Sequence, residues 1–407
     1  MRFEHRAVPI VLAAVLIDTI GFGVVMPVFP HLITSIGHVD LEQATRIAGY
    51  MLVVFAGTQF FAGPVLGNLS DRFGRRPVLI ASMLAFGMDY ALMAWAPTLA
   101  WLFLGRAIAG IAGAVYSPAS SVLADVTPPE KRSSVFGLIG AAFGIGFIIG
   151  PAIGGLLADF GPRAPFVVAA VLALANAAVM VVAMPETLAP ENRRPFRLRD
   201  AHVIGAFRPL FHAGNAAPLL TAWFVWQIAH MVYPATWSFW AAIRFDWDAR
   251  AIGWSLAFVG LVMALVQGGL TGKIIARVGE RRALVIGLVS AGISFLAFAF
   301  ITQSWQAYAL FLVSALSGLI FPAMNGLLSR MVDASHQGAL QGGIGSMGSV
   351  SSIVGPLLLT QALATGVDHG FPGTAFLLAG ILAFAALGII LWKVLDRVPP
   401  PDAKTAI

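Results

Sequence analysis

The chain has 407 residues, 58% of them hydrophobic and only 11% charged, with a mean hydropathy of +0.85. A soluble domain carries about 25% charged residues, so this chain cannot cover itself with a water-facing surface and belongs in a membrane. The net charge of +6 would suit nucleic acid, but the basic residues sit in short loops between apolar runs, so juxtamembrane placement is the reading. With no cysteine, disulfides and thiolate metal sites are excluded.

Met1-Arg2-Phe3-Glu4-His5-Arg6 followed by an apolar run has the look of a signal peptide. The run continues to about Pro30 and holds Asp18 in its middle, which predicts an uncleaved first helix instead. Apolar stretches of about 20 residues, enough to cross a bilayer, fall at roughly 7–29, 46–68, 78–96, 99–121, 133–157 and 164–184. A second set falls at roughly 216–240, 250–271, 283–302, 305–328, 338–362 and 373–395. The expectation is an all-α membrane protein of twelve spans: a six-helix bundle over 1–185, a cytoplasmic linker over 186–214, and a second bundle with a short tail over 215–407. Pro162, Pro185, Pro372 and Pro399 punctuate span ends. The linker, with Arg193, Arg194, Arg197, Arg199 and Arg208, reads as an interfacial helix on anionic lipid or as a solvated connection that enforces topology. With both termini cytoplasmic, all Lys and Arg lie inside except Arg46, Arg163, Arg244 and Arg250, which fall outside, and Arg106, which lies within a span.

One segment occurs twice. Gly67-Asn68-Leu69-Ser70-Asp71-Arg72-Phe73-Gly74-Arg75-Arg76 returns, degraded, as Gly272-Lys273-Ile274-Ile275-Ala276-Arg277-Val278-Gly279-Glu280-Arg281, a shift of 205 residues. The same shift carries Gly150-Pro151 onto Gly355-Pro356, and Gly137 and Gly140 onto Gly342 and Gly345. A duplicated half-protein in so apolar a chain points to a transporter with its site between two bundles. In the first copy, Asp71 is placed to cap the next helix, Gly74 permits a turn, and Arg72, Arg75 and Arg76 are donors at the membrane surface, with Asp125 a partner for Arg75.

The form G-x-x-x-D-R-x-G-R-[RK] resembles the signature loop of the major facilitator superfamily, and every fixed position matches. Arg106-Ala107-Ile108-Ala109-Gly110 resembles that family's fourth-helix pattern, and Gly146 to Gly155 the fifth-helix pattern of its antiporters. Asp18 to Gly23 through Met26-Pro27, Asp89-Tyr90, Phe166, Pro185-Glu186-Thr187 and His336 to Gly342 are similar to the tetracycline-resistance type of drug–proton antiporter. The resemblance implies functional importance for Asp18 and Asp89, and control of conformational change by Asp71. The ninth-span aspartate and eighth-span histidine common in that type are replaced here, at Ala291 and Met263.

Asp18 and Asp89 each lie about 11 residues, hence about 16 Å at 1.5 Å per residue, from the cytoplasmic end of their spans. An ionised carboxylate at that depth costs several kcal/mol, which favours proton exchange; with Arg106 they form either a relay or a structural pair. Glycines and prolines from Gly21 to Pro30 and from Gly144 to Gly155 allow bending or close helix contact. Trp223, Trp226, His230, Tyr233 and Trp237 follow a 3-4-3-4 spacing, one helical face, with Gln227 beside them. Such a face lines a cavity for a planar organic substrate or forms an interfacial belt. Gln59, Gln267, Asn325 and Gln341 are uncharged polar groups within spans, able to bond substrate or another helix. Neither a metal-ligand cluster nor a nucleotide loop is present in the pattern, so no cofactor is expected. The reading is a non-enzymatic, proton-coupled exporter of an amphipathic organic compound, monomeric, in a bacterial-type inner membrane. The alternatives are an importer or uniporter on the same scaffold and, more remotely, a membrane enzyme or receptor.

Overall fold

A computed structural model describes residues 6–113, 116–128, 131–195, 216–331 and 337–393, and these are all helix, turn or short connection. The helices are α1 (Ala7–Val25), α2 (Phe29–Gly37), α3 (Leu41–Phe73), α4 (Arg75–Trp95), α5 (Leu99–Gly113), α6 (Tyr116–Val126), α7 (Arg132–Leu157) and α8 (Ala164–Ala183). After the linker come α9 (Ala217–His230), α10 (Val232–Phe245), α11 (Ala249–Leu265), α12 (Thr271–Phe300), α13 (Ser304–Ser314), α14 (Ile320–Arg330), α15 (Gln337–Asp368) and α16 (Thr374–Lys393). Among the described residues, ten helical stretches are long and apolar enough to cross a membrane. One of them, Ala249–Phe300, is 52 residues long, enough for two passes, and the seventh expected span is not among the ten because it is broken. Large apolar side chains such as Phe61, Trp95, Val182 and Trp392 stand more than half exposed, which is tolerable only against lipid.

The duplication is visible in the packing. α1 and α4 pack on α8, and at the 205-residue shift α9 and α12 pack on α16. Both opening helices break at matching places, around Met26 between α1 and α2 and at Met231 between α9 and α10. The single face expected along the seventh span is therefore two shorter faces.

Packing divides the chain into two compact units. One comprises 1–203, 234–261 and 356–372; the other comprises 204–233, 262–355 and 373–407. In the first unit, α1 lies along α7 because glycines remove the side chains that would separate them. A Cβ on Gly154 would come within 2.2 Å of the Val24 carbonyl oxygen, and one on Gly150 within 2.7 Å of that of Ile20. The other side of α7 meets α11, where a Cβ on Gly253 would lie 2.4 Å from the Pro151 carbonyl oxygen. Two ionic links join ends in this unit. Arg46, in the first turn of α3, reaches Asp368 at 2.6 Å and Glu42 at 3.2 Å, and Arg250 of α11 pairs with Asp159 beyond α7.

Candidate functional site

The buried charges lie in the first unit. Asp89 on α4 is fully buried, and its Oδ2 accepts from Nη2 of Arg106 on α5. Its other oxygen has no partner; it packs where a Cβ on Gly105 would come within 2.7 Å, so only glycine admits the carboxylate. Arg106 is 8% exposed, also touches the Met93 sulfur at 2.8 Å, and keeps an unpartnered Nε. It is the one charged group in the wall of a 50 Å³ cavity otherwise lined by residues such as Phe22, Leu52 and Phe239. Asp18 on α1 is half-buried and makes neither a hydrogen bond nor an ion pair among the described residues. The two mid-span carboxylates thus differ in kind: Asp89 is held by a cation and Asp18 is not. Beside them, the Tyr90 ring fits against α1 because position 21 is glycine, whose Cβ would meet the hydroxyl at 2.7 Å.

The signature loop departs from its sequence reading in one respect. Asp71 lies inside α3, two residues before its end, so it does not cap α4. The cap is Glu186, at the start of the linker. Its carboxylate accepts from the backbone N–H of Arg75 at 2.8 Å and of Arg76 at 3.3 Å, and from those of Thr187 and Leu188 at 3.0 Å. It sits where any side chain on Gly74 would go: a Cβ there would lie 2.1 Å from Oε2, and φ is +105°. Asp71 instead accepts from Arg75 Nη1 at 2.5 Å, while Arg75 Nε donates to Asp125 at 3.2 Å and Nη1 also reaches Ser70 at 3.1 Å. Arg76 donates to the Val181 carbonyl, Arg72 lies over the Phe73 ring, and Gly67 falls within α3. The linker closes on this network a second time, through Arg194 N–H to the Asp71 carbonyl at 3.1 Å. Pro185-Glu186-Thr187 stood out in the sequence, but nothing in it marked Glu186 as a cap, because its target lies 111 residues away.

In the second unit a cavity of about 420 Å³ gathers Trp223, Trp226, Gln227, His230, Gln267, Thr271 and Ser317, with Met263, Phe321 and Pro322. Three irregular backbone segments border it: the α9 break after His230, a π turn at Val266–Leu270 and a 3₁₀ turn at Ala315–Leu319. Irregular backbone at membrane depth is tolerated where it lines a cavity, and π turns concentrate at functional places. Trp226 stacks on Phe295 at 6.1 Å and meets His230 at 5.6 Å. Trp223 is 1% exposed and its indole N–H has no partner. Thr271 and Ser317 were not singled out from sequence, whereas Trp223 was, as a member of the aromatic face.

Other candidates go elsewhere. Tyr233, past the α9 break, is enclosed by Phe295, Phe298, Phe311 and Phe376 at 5.4–6.3 Å. Trp237 donates to Ser255 at 2.9 Å in the first unit. Gln59 ties α3 to α5 through the Gly113 carbonyl at 3.0 Å, and Gln341 bonds Asn325 at 3.3 Å. His336 and Arg197, Arg199 and Arg208 lie outside the described residues.

The profile of the Major Facilitator Superfamily matches residues 11–356 and 236–407. The chain is 39% identical over 384 residues to the class C tetracycline resistance protein of Escherichia coli, covering 94% of this chain and 96% of that one. It is 28% identical over 392 residues to multidrug resistance protein 2 of Bacillus subtilis, covering 94% of each. In fold it is similar to the human organic anion transporter MFSD10, with a TM-score of 0.69 at 22% identity, over 96% of this chain and 100% of that one.

Proposed function

The chain belongs to the major facilitator superfamily, and from that premise we propose that it exports an amphipathic organic compound in exchange for protons, with Asp18 carrying the proton. It is a multi-pass secondary transporter, not an enzyme. Tetracycline-like compounds head the substrate candidates, because relatives at 39% and 36% identity are named for tetracycline resistance. The signature loop and both termini face the cytoplasm of a bacterial inner membrane, in keeping with the distribution of Lys and Arg.

The observation that carries the reading is the contrast between the two carboxylates. Asp89 is neutralised by Arg106, so its ionised form is already compensated. Among the described residues no cation pairs with Asp18, and an uncompensated carboxylate in the membrane is costly until a proton neutralises it. Substrate would stack on Trp226 and hydrogen-bond to Gln227, His230, Gln267 and the free indole N–H of Trp223. Arg75, held by Asp71 and Asp125, with Glu186 fixing the helix end, would serve as the cytoplasmic latch. Arg46–Asp368 and Arg250–Asp159 would close the outer side.

The test is substrate-induced proton movement in proteoliposomes, with tetracycline as probe. Asp18→Asn should abolish proton-driven accumulation while sparing downhill flux, since the amide mimics the protonated acid. Coupling that survives in both Asp18→Asn and Asp89→Asn would overturn the antiport reading.

A further inference from the structure

Shifted by 205 residues, Arg75 falls on Glu280 and Asp125 on Arg330. In the first half Arg75 Nε lies 3.2 Å from Asp125; in the second, Arg330 Nη2 lies 3.0 Å from Glu280. The backbone before each pair is also the same: Gly74 has φ 105° and ψ 162°, Gly279 has φ 79° and ψ 161°. The ion pair has been kept in place with its sign reversed.

A physical reason for the reversal lies in what surrounds each pair. The first residue of a helix favours negative charge nearby, because the unbonded N–H groups and the dipole are positive there. In the first half Arg75 takes that place, and the carboxylate of Glu186 is brought from the linker to cap it. The position equivalent to Glu186 is Leu391, which offers no carboxylate. The second half supplies the negative charge from the helix itself, as Glu280, and the partner at the end of α14 becomes the cation Arg330. Gly326 makes room for this: a Cβ there would lie 2.5 Å from Glu280 Oε1.

The two pairs are not equally secured. Arg75 is bound by Ser70, Asp71 and Asp125, whereas the position matching Asp71 is Ala276. Glu280 Oε2 and Nη2 of the adjacent Arg281 are both buried without a partner. We propose that Glu280 and Arg330 are positioning residues for transport, a second latch in the C-terminal half that holds the part of α12 after its kink at Gly279 in register with the end of α14 and that re-forms as the transporter cycles. Their unsatisfied atoms mark this pair as the one with an alternative arrangement to reach.

The inference rests on the chain being a transporter, and the test separates its failure from that of the exporter reading. Glu280→Arg, Arg330→Glu and the exchange E280R/R330E, which installs the first half's order, are compared in proteoliposomes for tetracycline flux. A cysteine introduced at Ala276, an exposed position in a chain with no native cysteine, reports the loop by its rate of alkylation. Each single reversal should lower the maximal rate by about five-fold, the scale of a partly exposed pair, with KM unchanged and alkylation altered; the exchange should restore both. If a single reversal does not fold, Glu280→Gln and Arg330→Gln should show the same loss of rate and change of alkylation. Wild-type rates and alkylation in the variants that fold, or an exchange no better than its singles, would overturn the proposal. Absence of tetracycline flux in the unmodified protein would refute the substrate reading alone, and alkylation would then decide the pair.

Discussion

Asp89→Asn should destabilise the protein by about 3–5 kcal/mol, the usual cost of removing one partner from a buried ion pair. The reasoning starts from burial. Asp89 is fully buried and Arg106 is 8% exposed, so neither charge is screened by water. Among the described residues Arg106 supplies the only hydrogen bond to that carboxylate, and its Nε is unsatisfied. An asparagine keeps the shape but leaves a guanidinium without a counter-charge. Replacing both groups should then be milder than replacing one, because buried pairs exchanged for well-packed apolar residues are often neutral or better by about 1–4 kcal/mol. The assay is unfolding in detergent, followed by intrinsic fluorescence, for Asp89→Asn, Arg106→Met and the double variant, closed as a double-mutant cycle. A double variant as unstable as the sum of its singles would show that the pair does not couple. The arrangement would then be adventitious contact rather than mutual neutralisation.

Glu186→Gln should cost about 0.5–2 kcal/mol, the range for a lost helix cap, and reduce the transport rate; unchanged unfolding would remove its capping role. Gly74→Ala should be worse than that substitution at an ordinary loop glycine, since φ is +105° and the new Cβ falls on the Glu186 carboxylate; expression and unfolding report it. Trp226→Ala should weaken binding of tetracycline measured by fluorescence quenching, by about 1 kcal/mol or more for lost stacking, while Tyr233→Ala should act through stability, being enclosed by four phenyl rings. Joining cysteines at Arg46 and Asp368 with a short bis-methanethiosulfonate cross-linker, each thiolate displacing a sulfinate to form a disulfide, should block flux, and continued transport would remove the outer closure from the cycle.

The length of an apolar run is a local property, and the helices and the membrane class were legible from it. The glycines of α7 read as allowing bending or close helix contact, and the contact they make is with α1. What was not legible depends on distant residues meeting. Asp71 looked like a cap because it precedes a helix, yet α3 runs on through it and the capping carboxylate comes from the linker. Trp223 to Trp237 looked like one face because periodicity assumes an unbroken helix, and Met231 ends that assumption. Ala291 and Met263 stood out only as departures from a related pattern; the cavity that Met263 borders needed α9, α12 and the two irregular turns brought together.

The duplication separates what the two halves share in backbone from what they carry in charge. Backbone features survive the shift: the breaks at Met26 and Met231, the left-handed Gly74 and Gly279, and the packing of α4 on α8 and of α12 on α16. The chemistry at equivalent places does not. Asp18 corresponds to Trp223, Asp89 to Ser294 and Arg106 to Phe311. A charge in the membrane is expensive, so a second copy of the Asp–Arg pair would double a large cost. In the second half the same places carry indole, hydroxyl and phenyl, which cost little to bury and can stack or donate. Trp223, where the first half has its unpaired carboxylate, is itself a buried donor without a partner. One inherited position is thus left unsatisfied in both halves, by a carboxylate that a proton would complete and by an indole that a substrate acceptor would complete. Trp223→Phe, which replaces the indole by a smaller phenyl ring and removes the N–H, should weaken binding of tetracycline by about 1–3 kcal/mol, the penalty for one lost buried hydrogen bond. It should also lower stability, because Trp223 is 1% exposed and the smaller ring leaves a void, so binding is compared on folded protein. A variant that binds as before would show that the free indole faces nothing the substrate uses.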